Sequence, residues 1–139
     1  MFNIKNLVNQ IIDQHAHSVQ RVAPSGAAGI ALASGAGAWN LGNFSADIIA
    51  GGAVDDTFDI HGIDVQNPSA NASYEIVIYY GNTDIECGRV TFTRVNANLL
   101  SRATTLQTPI LPAGSRIRAK MMDSAGASTC NIKVWYHTY

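Results

Sequence analysis

Apolar and polar residues alternate through most of the second half of the chain, which marks strands with one buried face. The pattern is clearest in SRIRAKM, where Ile117, Ala119 and Met121 share one face and Arg116, Arg118 and Lys120 the other. In DIECGRVTFTR, Val90 and Phe92 lie together, opposite Arg89, Thr91 and Thr93. SYEIVIYY alternates Tyr74, Ile76, Ile78 and Tyr80 with Glu75, Val77 and Tyr79, which predicts a strand covered largely on both faces, and Gly81-Asn82 turns it into the next. The final run, CNIKVWYHTY, puts Cys130, Ile132, Val134 and Tyr136 on one face and Asn131, Lys133, Trp135, His137 and Tyr139 on the other. In TFDIHGIDV the phase slips at Gly62. Phe58 and Ile60 are two apart, then Ile63 and Val65 resume one residue late, which predicts a β-bulge. Pro112-Ala-Gly114 predicts a turn into SRIRAKM.

Two earlier zones read differently. Residues 3–22 carry helical spacing at Ile4, Leu7, Val8, Ile11, Ile12, Val19 and Val22, with Asn3 as a cap and Pro24 and Gly26 as a stop. The seam through Ile4, Val8, Ile11, His15, Ser18 and Val22 is too short and too polar in its second half for a coiled coil. A helix docked on its own domain or on a partner is the expectation. Residues 24–56 are rich in Gly, Ala and Ser, with short strands expected at AGIALA and SADIIA. Trp39 and Phe44 are the large aromatics expected to pin this zone to a core. The predicted architecture is mainly β, an antiparallel β-sandwich or jelly roll with a short N-terminal helix or arm. Its division is a helix or arm over 1–22 and a single β-sandwich domain over 23–139, in which 23–56 supplies Gly/Ala-rich entry strands.

Composition narrows the class. The 139 residues are 47% hydrophobic and 14% charged, with a net charge of −1, so an open, self-repelling tail is excluded. Near-neutral balance argues against nucleic acid as a partner. No apolar run approaches the length of a membrane-spanning helix, and MFNIKNLVNQII does not read as a secretory signal. Synthesis in a reducing compartment is the expectation. Cys87 and Cys130 lie on different predicted strands; a disulfide needs those strands to be neighbours, and reducing conditions favour two free thiols. Charge is unevenly distributed. Residues 1–88 hold Lys5 and Arg21 against nine acidic groups, whereas residues 89–139 hold seven basic groups against Asp123. Cross-strand ion pairing inside one domain, complementary faces between subunits or on a scaffold, and nucleic-acid contact are the three readings of that asymmetry.

The search for chemistry assigns no catalytic residue, no cofactor and no metal ligand. His15 and His17, with Asp13 nearby, would point about 200° apart on a helix and could not share an ion. His61 and His137 have no carboxylate or nucleophile at a recognisable motif spacing. Asp55-Asp56 lacks the further oxygen ligands of a calcium loop and reads as a turn. Arg116, Arg118 and Lys120 form an outward basic row that blunts a sheet face rather than holding phosphates. Trp135, His137 and Tyr139 stand out, because an outward Trp and Tyr are the residue types enriched at interface centres. The other expectation for this face is cover by the N-terminal helix or the Gly/Ala-rich zone.

The strings FDIHGI, SYEIVIYY, IECGRVTF, QTPILPAGSRIRAKM and VWYHTY together resemble a family of small virion structural proteins of tailed bacteriophages and prophages. The likeness covers roughly residues 57–139, extends loosely through GAWNLGNF, and leaves out the N-terminal helix. It implies a β-sandwich on the exterior of a phage capsid: a decoration (cement) protein, often a homotrimer, whose partners are the major capsid protein and its own sister subunits. Ile4, Val8 and Ile11 would then belong to an anchoring arm, and Trp135, His137 and Tyr139 to the subunit contact. A neck, tail or head-fibre component would share this fold and composition. A carbohydrate-binding jelly roll, with Trp39, Trp135 and the tyrosines stacking on sugars, is the reading from another class.

Overall fold

The computed structural model describes Ile4 and residues 20–26, 28–95 and 101–139, with the side chains of 101 and 102 set aside. Eight strands form in chain order: β1 (Arg21–Ala23), β2 (Ile30–Ala33), β3 (Phe58–Gln66), β4 (Ser73–Tyr80), β5 (Ile85–Thr93), β6 (Ser101–Thr105), β7 (Ile117–Asp123) and β8 (Thr129–Thr138). All pairings are antiparallel and make two sheets. One runs β1-β8-β3-β6, with β2 also on β8; the other runs β5-β4-β7.

The alternation seen in the sequence decides which faces are buried. Ile117, Ala119 and Met121 are fully buried, and so are Ile132 and Val134, while Arg118 and Lys120 stay half-exposed. Tyr74, Ile76 and Ile78 from the second sheet and Phe58, Ile60, Ile63, Val65, Ile132 and Val134 from the first enter one hydrophobic core. Tyr74 stacks on Phe92 at 4.8 Å, and Phe58 meets Tyr136 edge-on at 5.8 Å. Val77 points the other way, yet it too is fully buried. Its register partners are Arg89 and Lys120, whose aliphatic stems can cover an outward apolar residue.

The bulge lies where the phase slips. Ile60 pairs with Tyr136 and Gly62 with Trp135, leaving His61 as the extra residue. The 106–108 segment continues along β3 past this irregularity, with Leu106 N donating to His61 O and Thr108 N to Ile60 O. Thr108 Oγ1 accepts from Ile60 N at 2.9 Å.

Several expectations change. The helix expected over 3–22 lies outside the described residues except at exposed Ile4 and at its end. That end is not helical: Arg21 and Val22 are strand, because β8 offers them backbone partners at Tyr136 and Trp135. The boundary expected after residue 22 therefore runs through β1. AGIALA yields β2, but SADIIA contributes only an isolated bridge from Ile49 to Ile117. Trp39 does not plug the core; it is 49% exposed. Its backbone is what matters, since Trp39, Gly42, Ser45 and Ile48 donate in turn to the carbonyls of Asp123, Met121, Ala119 and Ile117. Three residues of this irregular segment thus span two of β7, and the open edge of the second sheet is covered. Close approach sets the residue type at one point: a Cβ on Gly42 would sit 1.8 Å from the carbonyl oxygen of Ala33. Phe44 lies outside the core, edge-on to Tyr79 at 5.1 Å and beneath Arg118 and Lys120. β6 carries too little alternation to be seen in the sequence.

The charge asymmetry resolves within the chain. Arg89 pairs with Glu75 and Glu86, Arg118 with Asp84, and Arg116 with Asp84 and, at 4.0 Å, with Asp47. The basic second half thus folds onto acids of the first, as cross-strand pairing predicts. Cys87 and Cys130 are both free thiols. Among the described residues no helix is long and apolar enough to cross a membrane.

Candidate functional site

The outward faces of β3 and β8 meet where the chain ends. Asp59 and His137 are register partners across the two strands, and Tyr139 N continues the ladder by donating to Thr57 O. The bulge then acts on the side chains. His61 lies on the outer side with Asp59 by plain alternation, and the bulge brings the core phase back at Ile63. The His61 ring comes to 4.1 Å from that of His137, tilted by 54°. Strand pairing therefore brings the His137 imidazole to the Asp59 carboxylate and the His61 imidazole that alternation already places on one face.

Asp59 is the buried member of the group, with its side chain 5% exposed against 24% for His61. Its Oδ2 accepts from Tyr139 Oη at 2.8 Å and from Gln107 Nε2 at 2.9 Å. Gln107 is itself tied by a second donation to Thr108 O at 2.9 Å. The Tyr139 phenol is pushed up to about 12, by burial first and then by its hydrogen bond to Asp59 and that carboxylate's charge. It stays a donor at neutral pH. The other oxygen, Oδ1, lies 2.6 Å from His61 Nε2, yet neither atom makes a hydrogen bond. One ligand atom from each of Asp59, His61 and His137 falls within 4.8 Å of the other two, so these are the residues that could hold a metal.

Beside this cluster a recess of about 410 Å³ opens on the outer face of the β1-β8-β3-β6 sheet, lined among others by Gln20, His61, Asp64, Thr104 and Trp135. Of the residues singled out from sequence, Trp135, His137 and Tyr139 do share this outer face. Ile4 is exposed, 68%, and Val8 and Ile11 lie outside the described residues. Sequence reading missed Asp59, His61 and Gln107 as companions of His137. The available signal was Asp-x-His and His-x-Tyr on two predicted strands, each placing both residues on one face. What it lacked was the register that sets them opposite each other.

Comparison with known protein families and with curated proteins found no match to this chain.

Proposed function

We propose that the chain is a non-enzymatic structural subunit of a tailed-bacteriophage particle, a capsid decoration protein that binds the assembled head lattice from outside and stabilises it. In this reading the two sheets are the halves of a β-sandwich of jelly-roll type, and the working unit is a homotrimer. The observation that carries it is the aromatic face: half-buried Trp135 and exposed Tyr139 stand on the outer side where β8 ends, next to a recess, in a protein that spends Arg89, Arg116 and Arg118 on internal ion pairs. Aromatic side chains on a firm sheet suit burial against capsid protein and sister subunits. The resemblance supports the same reading, since FDIHGI, SYEIVIYY, IECGRVTF, RIRAKM and VWYHTY fall on the five longest strands, β3, β4, β5, β7 and β8. Many weak contacts repeated over a lattice add up, and contacts made only with the assembled lattice stabilise it by linkage.

The test is the copy number of this chain in purified particles, measured by quantitative mass spectrometry against the major capsid protein. A stoichiometric ratio, or one third of it where only threefold positions are filled, supports decoration. A handful of copies assigns the chain to a neck, tail or head fibre. Absence from particles overturns the virion reading and leaves the carbohydrate-binding jelly roll for glycan screens. Removing residues 1–19, which spares β1, tests the arm: decoration of empty heads at undiminished affinity would remove the anchoring role.

A further inference from the structure

We infer that Asp59, His61 and His137 form a binding site for one divalent transition-metal ion of the zinc class. Tyr139 and Gln107 both donate to Asp59 Oδ2, which fixes the plane of the group and leaves Oδ1 for another partner. Outer hydrogen bonds of this kind orient a ligating carboxylate. Oδ1 and His61 Nε2 are both buried, face each other at 2.6 Å and have no hydrogen-bond partner. A cation placed beside them is within reach of both.

His137 supplies the third ligand from the opposite strand. Donors around a tetrahedral zinc ion with bonds near 2.1 Å sit about 3.4 Å apart, so side-chain rotations of about an ångström must open the 2.6 Å pair of Oδ1 and His61 Nε2 and close the widest separation, which is within 4.8 Å. Two imidazoles and one carboxylate favour zinc, cobalt or nickel over calcium or magnesium, which prefer oxygen ligands throughout. Three protein ligands leave a fourth position for water or for a side chain of a neighbouring subunit. His61 lines the recess beside Trp135, which provides the path by which an ion and its water enter. The bound ion ties the bulge of β3 to the last turn of chain on β8. None of this depends on the virion reading.

The experiment uses the full chain, stripped with a chelator and titrated with Zn²⁺ by calorimetry and with Co²⁺ by visible absorption. The expected result is one ion per chain with a Kd of about 10 μM or tighter, and a thermal midpoint that rises with Zn²⁺. His61→Gln and His137→Gln should each weaken binding by more than about tenfold. Tyr139→Phe, which keeps the ring and loses only the donor to Asp59, should weaken it by about tenfold. His15→Gln with His17→Gln should leave it unchanged. Circular dichroism checks that each variant folds. No binding at about 100 μM Zn²⁺, or binding that survives His61→Gln and is lost with His15 and His17, overturns the site.

Discussion

Asp123 is fully buried at the end of β7 and accepts hydrogen bonds from the Ser34 and Ser128 hydroxyls and from the backbone N–H groups of Ala125 and Gly126. Burial alone would raise its pKa, but these four donors outweigh it and hold the carboxyl below 3.8. A carboxyl depressed in the folded state contributes stability above its unfolded value, and that stability is lost as pH falls through the folded one. Urea unfolding should therefore give level stability from pH 7 to about 5 and a decline below about 4, with a shallower decline in Asp123→Asn. At pH 7 the same substitution should cost about 2 kcal/mol, because an amide faces some of these donors with a donor of its own. Steric demand is as local at Gly42, where Gly42→Ala should cost about 3 kcal/mol and lower the thermal midpoint, since the new Cβ meets backbone rather than a movable side chain. Burial pushes the thiols of Cys87 and Cys130 up to about 12, helped at Cys87 by the charge of Glu86. Alkylation at pH 8 should thus be far slower in the native chain than in urea. The sequence revealed that these two thiols sit on strands. That Asp123 is also held by Ser34, 89 residues away, was invisible in it, because the two meet only when the fold closes.

At the scale of elements, the strands with partners on both sides are β8, between β3 and the pair β1 and β2; β3, between β8 and β6; and β4, between β5 and β7. Their amides should exchange with solvent most slowly, and those of edge strand β6 fastest within its sheet, which hydrogen-exchange mass spectrometry resolves. The bulge in β3 is held from one side by Thr108, the acceptor for Ile60 N. Thr108→Val keeps the shape and removes that acceptor, so it should cost about 1–3 kcal/mol by chemical denaturation. Elements with clean alternation, β4, β5, β7 and β8, were legible in advance because burial on one face writes a period of two into the sequence. The bulge was legible for the same reason, as a break in that period. β6 and the segment over 39–49 were not. Both are held by backbone hydrogen bonds to a neighbour, which leave no mark on side-chain pattern. The helical spacing before β1 likewise said nothing of the strand at Arg21–Ala23, which exists because β8 has an edge to offer.

For the molecule as a whole, part of the opposed charge of its two halves is paired internally, Arg89 with Glu75 and Glu86 and Arg116 and Arg118 with Asp84. Duplex DNA should consequently show no gel shift at about 10 μM protein in 150 mM salt. Composition and periodicity were enough to establish a mainly β, antiparallel protein, because the hydrophobic effect sorts residues by face before any strand finds its neighbour. The faces of Ile117, Val134 and Trp135 could be assigned from the chain alone. Which strand lies beside which could not, since register and sheet order depend on contacts between residues far apart in sequence. That is why the cluster of Asp59, His61, His137 and Tyr139 appears only in three dimensions. It exists because β3 pairs with β8 in the register that sets Asp59 opposite His137, with His61 next along the same face.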